Sequence, residues 1–228
     1  MLALDLRLAA DRLLLLCLVT DLFLIGPHGV YVSSGLIDDP NYSIAAERGF
    51  GETFGYVKEG WIVLILAGLA FVRDRATYGA WAFLFGILMV DDVYGVRERI
   101  GIGIGQVLGL SPTLGLRPQD FGEVVVAALL GLALVPIVIA FRRSRGRVRA
   151  FSRSMLVLLA ALVVFVVAVD VVHGLMPLHS RSEAVFGTIE DGGEMLVLSL
   201  MLRVALATWF QSAEGTAREG EHHPVEPV

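Results

Sequence analysis

Residues 154–175 read SMLVLLAALVVFVVAVDVVHGL. From Met155 to Val169, fifteen consecutive residues carry no polar side chain, and only then do Asp170 and His173 interrupt. Such a run shows neither the two-residue alternation of a half-buried strand nor the stripe of a soluble amphipathic helix. With its flanks it reaches the about 20 helical residues that cross a hydrocarbon core of roughly 30 Å.

Five further blocks have similar character, at about 10–30, 56–73, 77–96, 122–141 and 188–210. The block at 77–96 carries Asp91 and Asp92, and the last carries Arg203. The chain as a whole is 56% hydrophobic and only 18% charged over 228 residues, against about half and a quarter for soluble domains. Its mean hydropathy is +0.72. In lipid every backbone polar group must be bonded internally, so the blocks are expected to be helices. The reading is an all-α membrane protein with six transmembrane helices over residues 1–211 and a disordered polar tail over 212–228. The first block is read as a span and not a leader peptide: it contains Asp21, and no small-residue cleavage site follows Gly26-Pro27-His28.

Arginines set the expected orientation. Arg7, Arg12, Arg73, Arg75 and the run Arg142, Arg143, Arg145, Arg147, Arg149 and Arg153 fall on one side of a six-span layout. The positive-inside rule makes that side, and both termini, cytoplasmic. Longer loops near 33–54 and 98–120 then lie outside. The arginine run adjoins a span, so anionic lipid is its expected partner, not nucleic acid. Arginine outnumbers lysine seventeen to one, with Lys58 the single lysine. That usage is associated with GC-rich bacterial genomes, and the expected location is a bacterial inner membrane.

The blocks also suggest three helical hairpins as pseudo-repeats. Gly-Glu steps occur at Gly51-Glu52, Gly122-Glu123 and Gly193-Glu194, with the glutamates 71 residues apart twice. Asp21, Asp92 and Asp170 stand near the outer ends of the preceding helices. The three-hairpin layout is similar to that of mitochondrial carriers. Their Pro-x-acid-x-x-basic signature is missing here and the repeats are shorter, so their transport function does not carry over.

The acids carry the functional expectation. Asp21, Glu59, Asp91, Asp92, Asp170 and Glu194 lie within apolar runs, where an ionised carboxylate facing lipid costs about 2.5–3.5 kcal/mol at mid-helix. Each needs a proton, an arginine or a metal. Asp170-Val171-Val172-His173 places a carboxylate and an imidazole on one helix face, the half-motif of dimetal carboxylate sites in bundles. Asp91, Asp92, Glu123, Asp170, His173 and Glu194 are therefore the candidate metal ligands. An oxygen-rich set with one imidazole suits Mg²⁺, Ca²⁺, Mn²⁺ or ferrous iron. Pairing of Asp91 and Asp92 with Arg97 or Arg99 is the competing reading. Gly26-Pro27 is expected to kink or end the first helix near His28. Arg203 is expected to snorkel or to form a structural pair.

Gly101-Ile102-Gly103-Ile104-Gly105 is a fragment of a phosphate-loop pattern with no preceding strand, and reads as a flexible loop or helix end. Walker, Ser-x-x-Lys and Gly-x-Ser-x-Gly motifs are missing, so classical serine chemistry has no support. The lone Cys17 allows no disulfide framework. The expected function is an integral membrane protein with an acidic, periplasm-facing intramembrane site for a divalent cation, used in metal-dependent chemistry or cation handling. Two alternatives stay open: a non-catalytic subunit or assembly factor of a larger membrane complex, and a proton-linked transporter. The sequence names no reaction.

Overall fold

The computed structural model describes residues 2–34, 36–108, 118–169, 172, 176 and 180–221, the side chains of 2–7, 105, 108, 118–121, 123, 181 and 214–221 excepted. The described residues form helices α1 (Leu2–Ser34), α2 (Phe50–Val72), α3 (Arg75–Tyr94), α4 (Val96–Leu108), α5 (Pro118–Arg143), α6 (Gly146–Val163) and α7 (Arg181–Glu221), with no strand among them. Helix α6 continues as a π-helical segment, Val164–Val169, and a single 3-10 turn occupies Pro40–Tyr42. Five stretches are long and apolar enough to cross a membrane: Phe50–Val72, Arg75–Tyr94, Val124–Arg143, Gly146–Val169 and Ser182–Ala213. The protein is a multi-helix membrane protein.

The chain divides into two compact units, residues 1–58 with 150–228, and residues 59–149. In the first, α1 packs along α7, which also meets the π-helical segment. Helix α1 is built inside out. Ala10, Cys17, Asp21 and His28, spaced by seven, four and seven, are buried and share one face. Leu15, Leu16, Val19, Leu22 and Phe23 lie on the other side, Phe23 being 71% exposed. Water would select the reverse arrangement. A helix surrounded by lipid would have its polar groups turned to the protein interior in this way. On α7 the buried residues Met195, Val197, Leu198, Ser199, Met201, Leu202 and Ala205 recur at three-to-four-residue helical spacing. Arg203 forms a structural pair, its Nη2 2.7 Å from Asp11 on α1.

In the second unit α3 and α4 both lie against α5. Trp81, Leu84 and Phe85 of α3 and Ala133, Ile137 and Ala140 of α5 are buried. Asp74 opens α3 as its N-cap, accepting the Thr77 N–H at 3.0 Å. At the other end Gly95 adopts the left-handed conformation (φ 58°, ψ 47°) and its N–H donates to the Asp91 carbonyl, a helix stop that favours glycine.

Two expectations differ from this fold. Residues expected as loop near 98–120 include the 13-residue α4, and the Gly101–Gly105 stretch is helical within it. Glycine is a poor helix former in isolation, but here it permits backbone proximity. A Cβ on Gly122 of α5 would lie 2.9 Å from the Gly101 nitrogen. Of the kink or end expected at Gly26-Pro27, the end is not found, since helix α1 passes through Pro27 to Ser34.

Candidate functional site

A buried charge pair joins α1, α2 and α7. Lys58 Nζ sits 2.8 Å from Asp21 Oδ1, and both side chains are 0% exposed. An ammonium has three N–H donors. They are directed to Asp21 Oδ1 at 2.8 Å, the Met195 carbonyl at 2.7 Å and Ser199 Oγ at 3.3 Å. Ser199 in turn donates to Asp21 Oδ2 at 2.6 Å. The Phe54 ring lies one turn before Lys58, its centroid 4.7 Å from Nζ, and adds a cation–π contact.

Helix periodicity creates this arrangement. Met195 and Ser199 are four apart on α7 and lie on one face, so the Met195 carbonyl and the Ser199 hydroxyl point the same way. Asp21 projects from the buried face of α1. The long lysine stem then carries the ammonium to both. Charged groups withdrawn from water cost several kcal/mol apiece, and mutual attraction offsets this only when geometry and extra hydrogen bonds are good. Both conditions hold here. Chemically the cluster can fasten three helices at one point.

The other predicted residues are placed differently. Asp91 and Asp92 are engaged by one guanidinium: Arg97 Nε is 3.1 Å from Asp91 Oδ2, and Nη2 is 2.8 Å from Asp92 Oδ1. The Arg97 N–H also donates to Asp91 Oδ1 at 2.9 Å, which satisfies one of the orphan donors in the first turn of α4. Asp91 thus closes α3 with its carbonyl and opens α4 with its side chain. Because Arg97 is 41% exposed, the ion pair itself adds little, and the capping bond contributes more. Asp91→Ala is expected to lower stability by about 1–2 kcal/mol, measured as a shift of the unfolding midpoint in detergent.

Asp170 and His173 lie outside the described residues, as does the side chain of Glu123. Glu194 is half-buried on α7 and engaged in an interaction of its own. Asp91 and Asp92 belong to one unit and Glu194 to the other. Among the described residues no three His, Cys, Asp or Glu side chains gather to hold a metal ion. Sequence reasoning misses Lys58 and Ser199. A lone lysine inside the apolar block at 56–73 is the available signal, since an intramembrane ammonium demands a buried partner.

These features define a class: an all-helical membrane protein with a saturated ion pair among its helices. The chain belongs to the family described as "Domain of unknown function (DUF8692)", which matches residues 12–210. No curated protein and no solved structure matches it.

Proposed function

We propose that this protein is a non-catalytic component of a larger membrane assembly, with α1 as a sixth span, both termini cytoplasmic and the intramembrane acids serving as internal ion-pair partners. The observation that carries the reading is the fate of three of those acids. Asp21 is neutralised by Lys58, and Asp91 and Asp92 by Arg97. An open, solvent-facing cation site would hold its carboxylates ready for a ligand instead. The inside-out faces of α1 support its role as a span. The most apolar windows of Val124–Arg143 and Gly146–Val169 are each only 17% buried, leaving broad apolar surface for lipid or partner helices. Arg142, Arg143, Arg145, Arg147 and Arg149 are exposed between these two helices, suited to anionic lipid phosphates.

The test is purification from native membranes in mild detergent, with metal analysis of the same sample. The expected result is stoichiometric co-purifying membrane proteins and no stoichiometric divalent ion. About one or two bound divalent ions per chain, lost on Asp170→Asn, would replace this reading with a metal site at Asp91, Asp92, Glu123, Asp170, His173 and Glu194. Proton-driven flux in vesicles holding the purified chain alone would replace it with a proton-linked transporter.

A further inference from the structure

His28 lies on the buried face of α1, 4% exposed, at the junction of α1, α7 and the segment leading into α2. Its ring partners are Thr188 Oγ1, 3.1 Å from Nε2, and Ser43 Oγ and the Ile44 N–H, 3.4 and 3.3 Å from Nδ1. These contacts fix the proton. The Thr188 hydroxyl already donates to the Ala184 carbonyl at 2.7 Å, so toward His28 it can only accept, and Nε2 carries the hydrogen. The Ile44 N–H can only donate, so Nδ1 presents its lone pair. One neutral tautomer satisfies both ends.

We propose that His28 is a pH-operated latch on the segment before α2. The neutral ring pins Ile44 to α1 and α7. Protonation places an N–H on Nδ1 opposite the Ile44 N–H, two donors facing each other. The Ser43 hydroxyl can rotate to accept the new hydrogen, whereas a backbone amide cannot. The Ile44 contact is therefore present while the ring is neutral and lost when the ring takes up a proton as pH falls.

The ionisable groups on the surrounding elements include Asp21 and Tyr31 on α1, Asp38, Asp39, Tyr42, Glu47 and Arg48 in the segment before α2, and Glu183, Glu190, Asp191 and Glu194 on α7. Asp21 is held by Lys58 and Ser199. Asp39 accepts from Asn41, and the Arg48 N–H donates to Glu52. Glu183, Glu190 and Asp191 are half-buried and each engaged in an interaction. The hydrogen-bond partners that meet the ring are uncharged, so its protonation state is read out through donor and acceptor matching. The connection has reach: Ile44 leads directly into α2, which carries Lys58.

The test is hydrogen–deuterium exchange of the Ile44 amide in the full chain at pH 7.5 and pH 5.0, corrected for intrinsic exchange. Protection is expected to fall about tenfold at the lower pH, the loss expected for one backbone hydrogen bond. His28→Asn, whose amide oxygen accepts but cannot ionise, is expected to show the same protection at both pH values. Equal protection in the native chain at both values overturns the proposal, and so does an equal fall in the variant. Ring ¹⁵N spectra of the native chain serve if the variant does not fold. Nδ1 must gain its proton as Ile44 protection is lost, and an Nδ1 that stays unprotonated at pH 5.0 overturns the latch.

Discussion

Asp21→Asn is expected to lower the unfolding free energy of the chain in detergent by about 3–5 kcal/mol, because it leaves a buried ammonium without its counter-charge. The neutral amide keeps one acceptor oxygen for Lys58 while its NH2 replaces the oxygen that accepted from Ser199, so the loss combines the counter-charge with one hydrogen bond and is not steric. Lys58→Met should cost a similar amount, since Asp21 would keep only the Ser199 hydroxyl as described partner. Removing both charges together, as Asp21→Leu with Lys58→Met, should recover most of the loss. Well-packed apolar groups replace a buried ion pair at little net cost, and sometimes with a gain. Denaturant titration of the three variants gives the comparison, and single variants as stable as the native chain would show that the pair does not hold the helices together.

Gly122→Ala is the second large effect. A Cβ at this position would overlap the carbonyl oxygen of Arg97 and lie 2.6 Å from its carbonyl carbon and 2.9 Å from the Gly101 nitrogen. All three obstacles are backbone atoms of α4, so no side-chain rotation relieves them. Helix α4 must move off α5, and it carries Arg97, the partner of Asp91 and Asp92, with it. Overpacking of this kind costs about 3 kcal/mol or more when the neighbours cannot yield. Thermal unfolding measures it. Gly193→Ala should be milder. Its Cβ would meet the Phe165 ring, with Cζ at 2.7 Å, and a ring can tilt away.

The same positions show how far the sequence can be read. Blocks 56–73, 77–96, 122–141 and 188–210 fall mainly on α2, α3, α5 and α7, and block 154–175, as far as residue 169, on α6 with its π-helical end, because long apolar runs report span locations directly. Block 10–30 lies inside α1. Helix α4 is hidden because its glycines argue against a helix in isolation, and the backing of α5 at Gly122 exists only in three dimensions. Glycines 122 and 193 stand out in the sequence as Gly-Glu steps, where the glutamates look like the functional half. At these two positions it is the missing side chain of the glycine that the packing uses.

The candidate site is legible in part. Asp21, Asp91 and Asp92 stand in apolar runs as acids that need partners, and Arg97 is near enough in sequence to be named for the last two. The partner of Asp21 is not, because Lys58 is 37 residues away and Ser199 is 178. Periodicity gives the face on which each side chain stands, not the helix that face meets. His28 draws notice for the proline before it, whereas its hydrogen bonds run to the segment before α2 and to α7.

Lys58 is the single lysine of the chain, which allows the central claim to be tested on one signal. Selective ¹⁵N labelling of lysine gives one side-chain nitrogen resonance. A buried ammonium bonded to Asp21, Met195 and Ser199 should exchange its protons slowly with water at neutral pH and stay visible in proton-detected spectra. Asp21→Asn should shift that signal or abolish it. A native resonance whose protons exchange as fast as those of free lysine, and which is indifferent to Asp21→Asn, would contradict the buried pair.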